Sequence, residues 1–318
     1  MWCIEEGFSS TGVGRAARED GLALARERLR RLFGFEEPTI ELLSSQTEER
    51  SDCFVERLRF RLDGGGEVRG VLTRPLAAEA PLPAILYAHA HGGRYDVGAD
   101  ELLDGQTYLL SPPLGPVFAR AGYVTLMIDM PTFGERSGQR EWPLSKALLW
   151  YGKSLIGEML CDQAAALTYL GSRLDVDPGR IGAFGMSMGA TLSYWLAAVD
   201  QRIAATAHLC CYADFATLVE TGAHDRHGIY LTVPGLLAET STGAIAGLVA
   251  PRPQLICVGD ADDLTPPLAV DRAFAQTEAA YRRARAGEAL TLLRVPGAGH
   301  QETEEMRKAV LEFFAEAL

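Results

Sequence analysis

The chain has 318 residues, 47% of them hydrophobic, and a formal net charge of −12 at pH 7. This length can bury a large core in one α/β domain, and the acidic balance argues against a nucleic-acid surface, which would need a basic face. No apolar run reaches the roughly 18 residues of a membrane-spanning helix, and the N-terminus lacks the basic start and apolar stretch of a signal peptide. Six scattered cysteines without a C-x-x-C pair favour reduced thiols, so we expect a cytoplasmic protein that binds neither nucleic acid nor membrane.

The first predicted elements are a helix and a hairpin. Apolar residues recur at steps of three and four between residues 15 and 33, which predicts an amphipathic helix within a helical extension over residues 1–48. Alternation of apolar and charged residues over 54–62 predicts a half-exposed strand at a sheet edge. The glycines at 64–66 predict a turn into a second strand over residues 67–73.

From residue 83 onward, short apolar runs alternate with helical patterns. Continuous apolar runs are typical of parallel strands covered on both faces, so the alternation predicts an α/β fold with a mostly parallel sheet flanked by helices. The predicted strands cover residues 83–88, 123–128, 180–184, 203–209, 253–258 and 290–295, and the predicted helices cover residues 115–121, 155–170, 190–199, 272–285 and 304–318.

One long stretch interrupts this rhythm. Residues 212–250 contain five glycines and two histidines but little periodicity. A long irregular stretch in a compact domain is usually functional. We therefore predict that residues 212–250 form a cap that is inserted in the single domain of residues 1–318 and folds over the functional site. We expect His224, His227 and Tyr230 to line a substrate pocket there.

The sequence Gly185-Met186-Ser187-Met188-Gly189 lies between a predicted strand and a predicted helix. It matches G-x-S-x-G, the nucleophile elbow of the α/β-hydrolase fold, in which a strained turn exposes a nucleophilic serine. The turn needs small flanking residues, and both are glycine here. We predict Ser187 as the nucleophile and the Met188 N–H as an oxyanion donor.

A nucleophilic serine needs a base that is held by an acid, and in this fold the three follow in the order Ser, Asp or Glu, His. His300 follows the last predicted strand and is the only histidine beyond position 227, so it is the expected base. Asp260, Asp262 and Asp263 crowd the loop after the preceding predicted strand. The position of that loop alone leaves all three as candidate acids.

These motifs resemble the dienelactone-hydrolase and acetyl-xylan-esterase-like branch of the α/β-hydrolases over roughly residues 50–318. Gly259-x-x-Asp262-x-x-x-Pro266 resembles the acid loop of that family, which implies Asp262 as the triad acid. Gly299-His300 resembles its G-H before the last helix, and residues 129–137 resemble its D-x-P-x-x-G-x-x-S segment.

The segment His89-Ala90-His91-Gly92-Gly93 resembles the H-G-x-G-G oxyanion loop of the same family, with Ala90 in place of the usual glycine. The resemblance implies that this loop supplies the second oxyanion donor. His91 is the first candidate and Gly92 the next.

The same histidines permit a different hypothesis. His89-x-His91 and His224-x-x-His227 could together bind a catalytic metal. No Asp-His pair follows His91, however, and the glycines at 92 and 93 suit a backbone oxyanion loop better. We therefore predict a site without metal or cofactor.

The predicted function is hydrolysis of carboxylic esters by a serine hydrolase. The family resemblance implies small acyl groups such as acetyl, and the expected partner is a small-molecule ester. A peptidase or amidase and a lactone hydrolase share this chemistry, whereas a metallohydrolase and a non-catalytic binding protein are alternatives from other classes. A complete Ser-Asp-His set argues against a binding protein. The sequence is compatible with a homodimer.

Overall fold

A single mixed sheet forms the centre of the protein. The computed structural model describes residues 12–63, 66–77 and 81–318, and within these ranges the chain forms nine strands. In chain order they are β1 (Ile40–Glu49), β2 (Phe54–Leu62), β3 (Gly66–Arg74), β4 (Leu82–Ala88), β5 (Val124–Ile128), β6 (Val176–Met186), β7 (Ala205–Leu209), β8 (Gln254–Gly259) and β9 (Leu290–Val295).

The strand order across the sheet is β1-β2-β3-β5-β4-β6-β7-β8-β9. The first three strands form an antiparallel meander, and β3 runs antiparallel to β5. All pairs from β5 across to β9 are parallel. The predicted α/β fold with a mostly parallel sheet is thus confirmed, and the loops after β4, β6, β8 and β9 meet at the carboxyl edge of the sheet.

Helices cover both faces of this sheet. They are α1 (Gly12–Phe33), α2 (Glu101–Asp104), α3 (Leu114–Arg120), α4 (Glu141–Trp150), α5 (Leu155–Ser172), α6 (Met188–Val199), α7 (Phe215–Thr221), α8 (Leu236–Glu239), α9 (Thr242–Gly247), α10 (Pro267–Ala284) and α11 (Glu304–Ala317). None of the helices in the described ranges is long and apolar enough to span a membrane.

Two apolar layers hold the helices against the sheet. On one face α1, α5, α6 and α9 bury their apolar sides, and Phe33 of α1 stacks on Trp195 of α6 with ring centroids 4.6 Å apart. On the other face α3 and α11 meet β6, where the rings of Phe118, Phe184 and Phe314 pack edge to face. Each such ring contributes about 1.5–3 kcal/mol by leaving water. The two layers fix the strand that leads to Ser187 from both sides.

The N-terminal segment differs from its prediction. A helix does form up to Phe33, but residues 40–48 of the predicted helical extension belong to strand β1. β1 pairs with β2 along its length, so β1 is the edge strand. β2, which was predicted at the edge, lies inside the sheet. Polar residues dominate β1 and most of it is exposed, so backbone pairing rather than an apolar face holds it. Residues 1–11 and the glycines at 64 and 65 lie outside the described residues.

The segment of residues 212–250 is more regular than its sequence suggests. It contains α7, α8 and α9 together with single 3₁₀ turns at Ala223–Arg226 and Ile229–Leu231. A β-carbon on Gly243 of α9 would overlap the backbone of Ala273 in α10, so these two helices pack without a gap. The C-terminal part of the segment therefore belongs to the helical layer. The cap function of its middle part stays a prediction.

Candidate active site

Ser187 stands alone between β6 and α6, in a conformation that few residues other than glycine adopt. Its backbone angles are φ 56° and ψ −118°, and a strained backbone of this kind costs about 1–3 kcal/mol. A β-carbon on Gly185 would overlap the backbone of Gly189, so the strand and the helix meet too closely for a larger residue. The Ser187 N–H donates to the Leu209 carbonyl at 2.8 Å, which anchors the turn to β7. The predicted elbow geometry is present.

Ser187, His300 and Asp262 form one chain of hydrogen bonds. Ser187 Oγ lies 2.9 Å from His300 Nε2, and His300 Nδ1 lies 2.8 Å from Asp262 Oδ2. The three residues come from the loops after β6, β9 and β8, so the sheet edge brings together side chains up to 113 positions apart. The His300 side chain is 25% exposed, whereas that of Asp262 is fully buried.

Asp262 is held rigidly, and its two aspartate neighbours point elsewhere. Its Oδ1 accepts from the Leu264 N–H at 2.9 Å, and its Oδ2 also accepts from the Thr265 hydroxyl at 3.0 Å. Asp260 accepts from the Gly297 N–H, and the exposed Asp263 pairs with Arg226. Of the three candidates that the loop offered, only Asp262 contacts the imidazole in this structure.

The loop after β4 presents the amides that were expected to complete the site. The Ala90 N–H is occupied, because it donates to both carboxylate oxygens of Glu101 at 3.2 Å. Within the described residues, the N–H groups of His91 and Gly92 have no hydrogen-bond acceptor. Met188 begins α6, and the first N–H groups of a helix have no partner inside it. The N–H groups of Met188, His91 and Gly92 therefore have no acceptor among the described residues.

Both histidines of this loop have each ring nitrogen occupied. His89 Nε2 accepts from the Met130 N–H at 3.2 Å, its Nδ1 donates to the Ala90 carbonyl at 2.9 Å, and burial lowers its pKa to about 4. His91 Nδ1 accepts from the Gly93 N–H at 3.0 Å, so Nε2 carries the proton that points to Glu141 Oε2 at 2.7 Å. Either imidazole would have to give up a protein hydrogen bond to become a metal ligand. This arrangement gives the metal-site hypothesis no support.

One family model matches most of the chain. The family model described as X-Pro dipeptidyl-peptidase (S15 family) matches residues 63–286. The chain belongs to the S15 family. The matched range contains Ser187 and Asp262 and ends before His300.

The S15-family chain also resembles individual proteins over most of its length. It is 39% identical to YtaP of Bacillus subtilis, described as a candidate hydrolase, over 91% of this chain and 97% of that protein. It superposes on acetyl xylan esterase 1 from Thermoanaerobacterium sp. with a TM-score of 0.64 and 17% identity, covering 94% of both chains. It superposes on a glucuronoyl esterase from Solibacter usitatus with a TM-score of 0.65 and 16% identity, covering 91% of both chains. These likenesses confirm the predicted α/β-hydrolase fold.

The three predicted pocket residues of this S15-family chain lie in different surroundings. Tyr230 is 4% exposed and stacks on the His91 imidazole with ring centroids 5.3 Å apart. His227 Nε2 lies 3.1 Å from the Leu264 carbonyl, beside the acid loop, and burial lowers its pKa. His224 is further out and contacts the Leu218 carbonyl through Nδ1 at 3.4 Å. Tyr230 and His227 thus touch the oxyanion loop and the acid loop, whereas His224 contacts its own segment.

A cleft of about 350 Å³ separates the predicted cap from the acid loop. Thr221, Gly222, Ala223 and Arg226 line one side of it, and residues 260–263 line the other with the following prolines. Among the described residues that line the cleft, Asp262 is the only member of the predicted triad. The cleft therefore adjoins Asp262 and is not lined by Ser187 or His300.

Two buried carboxylates that hold the predicted oxyanion loop were not predicted from the sequence. Glu101 is 1% exposed and accepts from Ala90 and Gln106, and burial raises its pKa to about 7. Glu141 is 4% exposed and bonds to His91. A single glutamate at the start of a helix is common, because the helix dipole favours it there. Neither residue therefore carried a local signal.

Proposed function

We propose that this protein hydrolyses carboxylic esters through an acyl-enzyme, with Ser187 as nucleophile, His300 as base and Asp262 as the orienting acid. The observation that carries the proposal is the unbroken chain of hydrogen bonds from Ser187 Oγ through His300 to the buried Asp262. Nucleophile, base and orienting group within hydrogen-bond reach are the arrangement that makes a serine hydroxyl reactive at neutral pH.

Acylation follows from this geometry. His300 Nε2 takes the hydroxyl proton while Ser187 Oγ forms a bond to the acyl carbon, and the carbonyl oxygen becomes an oxyanion. His300 then gives the same proton to the leaving alkoxide as the ester C–O bond breaks. Water repeats the two steps, and the acid product leaves with Ser187 restored. Asp262 accepts from Nδ1–H throughout, which keeps Nε2 free as the base and stabilises the imidazolium.

The oxyanion needs two fixed N–H donors. The Met188 N–H is the first donor in this proposal, because it adjoins the nucleophile at the start of α6. The second is the N–H of His91, with that of Gly92 as the alternative. Ala90 is left out because its N–H already bonds to Glu101. Loss of one such donor typically costs about 2.7–4 kcal/mol of transition-state stabilisation.

The substrate in this proposal is a small-molecule ester with a short acyl group. Support comes from the acetyl xylan and glucuronoyl esterases that share the fold and from the hydrolase description of YtaP. The family name favours a second candidate, cleavage of peptides after an X-Pro unit, because the match covers both Ser187 and Asp262. The two chemistries share one triad and differ in the leaving group, an alcohol in one and an amine in the other.

The test compares the two substrate classes on the same preparation. We expect p-nitrophenyl acetate to be hydrolysed faster than longer p-nitrophenyl esters, and Ala-Pro-p-nitroanilide to be cleaved much more slowly. Ser187→Ala should abolish esterase activity without unfolding the chain, and a serine-directed organophosphonate should label Ser187 in the wild type. Faster turnover of the anilide would favour the peptidase. Residual esterase activity in Ser187→Ala, or loss with EDTA and recovery with zinc, would contradict the serine mechanism.

We also infer that the protein works in the cytoplasm. The described cysteines, at positions 53, 161, 210, 211 and 257, are all free. Burial raises the pKa of Cys161 and Cys211 to about 11, so these thiols stay protonated and unreactive. Free thiols are usual in reducing compartments. Recovery of the native protein from the culture medium rather than from lysed cells would contradict this inference.

A further inference from the structure

One buried carboxylate joins three separate parts of the site. Glu141 Oε2 accepts from His91 Nε2–H at 2.7 Å and from the Tyr95 hydroxyl at 3.0 Å. A β-carbon on Gly228 would lie 3.0 Å from Glu141 Oε1, so the predicted cap packs directly on the same carboxylate. Although burial alone would raise the pKa of Glu141, hydrogen bonds from His91, Tyr95 and the Tyr230 backbone hold it below its usual value. The carboxylate is therefore ionised at neutral pH.

The His91 side chain that Glu141 holds is 19% exposed, and three aromatic rings pack against it. Tyr230 stacks on the imidazole, and Tyr95 and Phe133 meet it edge-on with ring centroids 5.1 Å away. The remaining ring nitrogen accepts from the Gly93 N–H. A ring with both nitrogens bonded and one face stacked cannot turn without breaking these contacts. A held side chain holds the Cα of His91, and the bond from the Ala90 N–H to Glu101 holds the preceding residue, so the peptide N–H between these two points has little freedom to move.

We propose that Glu141 is a positioning residue for the oxyanion hole, which holds the His91 N–H in place and links the oxyanion loop to the turn at Ile229–Leu231. The inference rests on the proposed function, in which the His91 N–H is the second oxyanion donor. A misplacement of about 1 Å in a catalytic group can cost roughly 100-fold in rate. Glu141 acts on the reaction only through His91, and it contacts no reacting atom.

A positioning role predicts a definite order of variants. In Glu141→Gln an amide oxygen can still accept from His91 Nε2–H, whereas Glu141→Ala leaves that N–H buried without an acceptor. We expect kcat to fall about 10- to 100-fold in Glu141→Ala with little change in KM, because an oxyanion contact is made only in the transition state. Glu141→Gln should recover much of the loss. If Glu141 acted only by repelling the oxyanion with its negative charge, the kcat of Glu141→Gln would be higher than that of the wild type.

The decisive measurement is affinity for an alkyl trifluoromethyl ketone, whose adduct with Ser187 carries an oxyanion. Its Ki should rise in parallel with the fall in kcat, in the order wild type, Glu141→Gln, Glu141→Ala. Glu56→Gln is the matched control, because Glu56 is buried in β2 and bonds to Arg74 and Arg173 away from the site. This control should lower stability and leave Ki unchanged.

Several outcomes would overturn the assignment. If Glu141→Ala folds and keeps wild-type Ki and kcat, or if only its KM rises, Glu141 has a structural role and not a positioning role. Should Glu141→Ala fail to fold, Glu141→Leu takes its place, because leucine fills the space without an acceptor, and wild-type Ki and kcat in that variant would have the same consequence. If the wild type itself shows no ketone binding that depends on Ser187, the proposed function fails and this inference falls with it. If the wild type binds the ketone through Ser187, a negative result with the variants contradicts only the role of Glu141 and not the proposed function.

Discussion

The carbonyl oxygen of Ala88 lies against the Cα of Gly189, so closely that a β-carbon on Gly189 would overlap it. Ala88 ends β4, which leads into the oxyanion loop, and Gly189 is the second residue of α6, which follows the nucleophile. The contact therefore sets the separation between the two predicted halves of the oxyanion hole. Glycine at this position is required by space rather than by backbone conformation.

Gly189→Ala should accordingly lose most esterase activity and destabilise the fold, by about 1–3 kcal/mol if the backbone shifts to relieve the overlap. Gly21→Ala is the matched control, since Gly21 also lies in a helix but a β-carbon there would have no neighbouring atom of the described residues within 4 Å. That control should stabilise the protein by about 0.4–1 kcal/mol and leave turnover unchanged. Urea unfolding and kcat/KM on p-nitrophenyl acetate provide the readouts. Wild-type turnover in Gly189→Ala would refute the spacing argument.

Asp262→Asn should reduce kcat by about 10⁴-fold, because an amide in place of the carboxylate favours the wrong tautomer of His300. Asp260→Asn and Asp263→Asn should have much smaller effects, since Asp260 bonds to the Gly297 N–H and Asp263 pairs with the exposed Arg226. Steady-state kinetics of the three single variants would test this order. A crippling effect of Asp263→Asn would show that the acid has been assigned to the wrong aspartate.

His227→Ala should change substrate preference more than stability, because His227 is only partly buried and bonds to a single carbonyl beside the acid loop. Short acetyl esters should be affected least and bulky esters most, as only the latter would reach the predicted cap. Comparison of kcat/KM on a short and a long p-nitrophenyl ester tests this. If kcat/KM fell by the same factor on both esters, His227 would have only a structural role.

Tyr230→Ala should behave differently from His227→Ala. Tyr230 is 4% exposed and stacks on His91, so its removal leaves a cavity and loosens the oxyanion loop. We expect about 3–5 kcal/mol of lost stability, as for other buried aromatic residues, and lower kcat on short and long esters alike. Thermal unfolding and the same pair of esters supply the measurements. An effect confined to long esters would place Tyr230 in the acyl or alcohol pocket instead.

Glu101 should make stability fall as pH rises through the weakly acidic range. Burial raises its pKa from 4.5 to about 7, with Tyr87 and Tyr108 close by, so the folded state binds the proton more tightly than the unfolded chain. Its contribution is therefore greatest below the unfolded pKa and is lost as pH approaches about 7, with a slope of at most about 1.4 kcal/mol per pH unit. Glu101→Gln should remove this slope. If the unfolding free energies of the wild type and Glu101→Gln changed with pH in the same way, the raised pKa of Glu101 would be contradicted.

Several features of this protein were determined by the sequence alone, because each depends on residues close together in the chain. The alternation of apolar strands and helices predicted the parallel sheet, and β9 was predicted with its observed bounds, residues 290–295. The glycine-flanked Ser187 predicted a strained turn, and the order of the loops predicted that His300 and one of three aspartates would lie beside it. The choice of Asp262 among the three came from the family resemblance and not from the position of the loop. Local periodicity and turn chemistry are enough for such predictions.

Other features depended on contacts between distant parts of the chain, and only the tertiary structure decided them. β1 carries few apolar side chains, so nothing but its pairing with β2 shows that residues 40–49 form a strand. Glu141 meets His91 across 50 positions, and Glu101 takes the Ala90 N–H out of the set of free amides. A carboxylate has the same sequence signature whether it is solvated at a helix start or buried against an oxyanion loop. The partner of such a carboxylate and its desolvation exist only in the folded chain. Local sequence patterns therefore predicted the architecture of the site but not the buried carboxylates that support it.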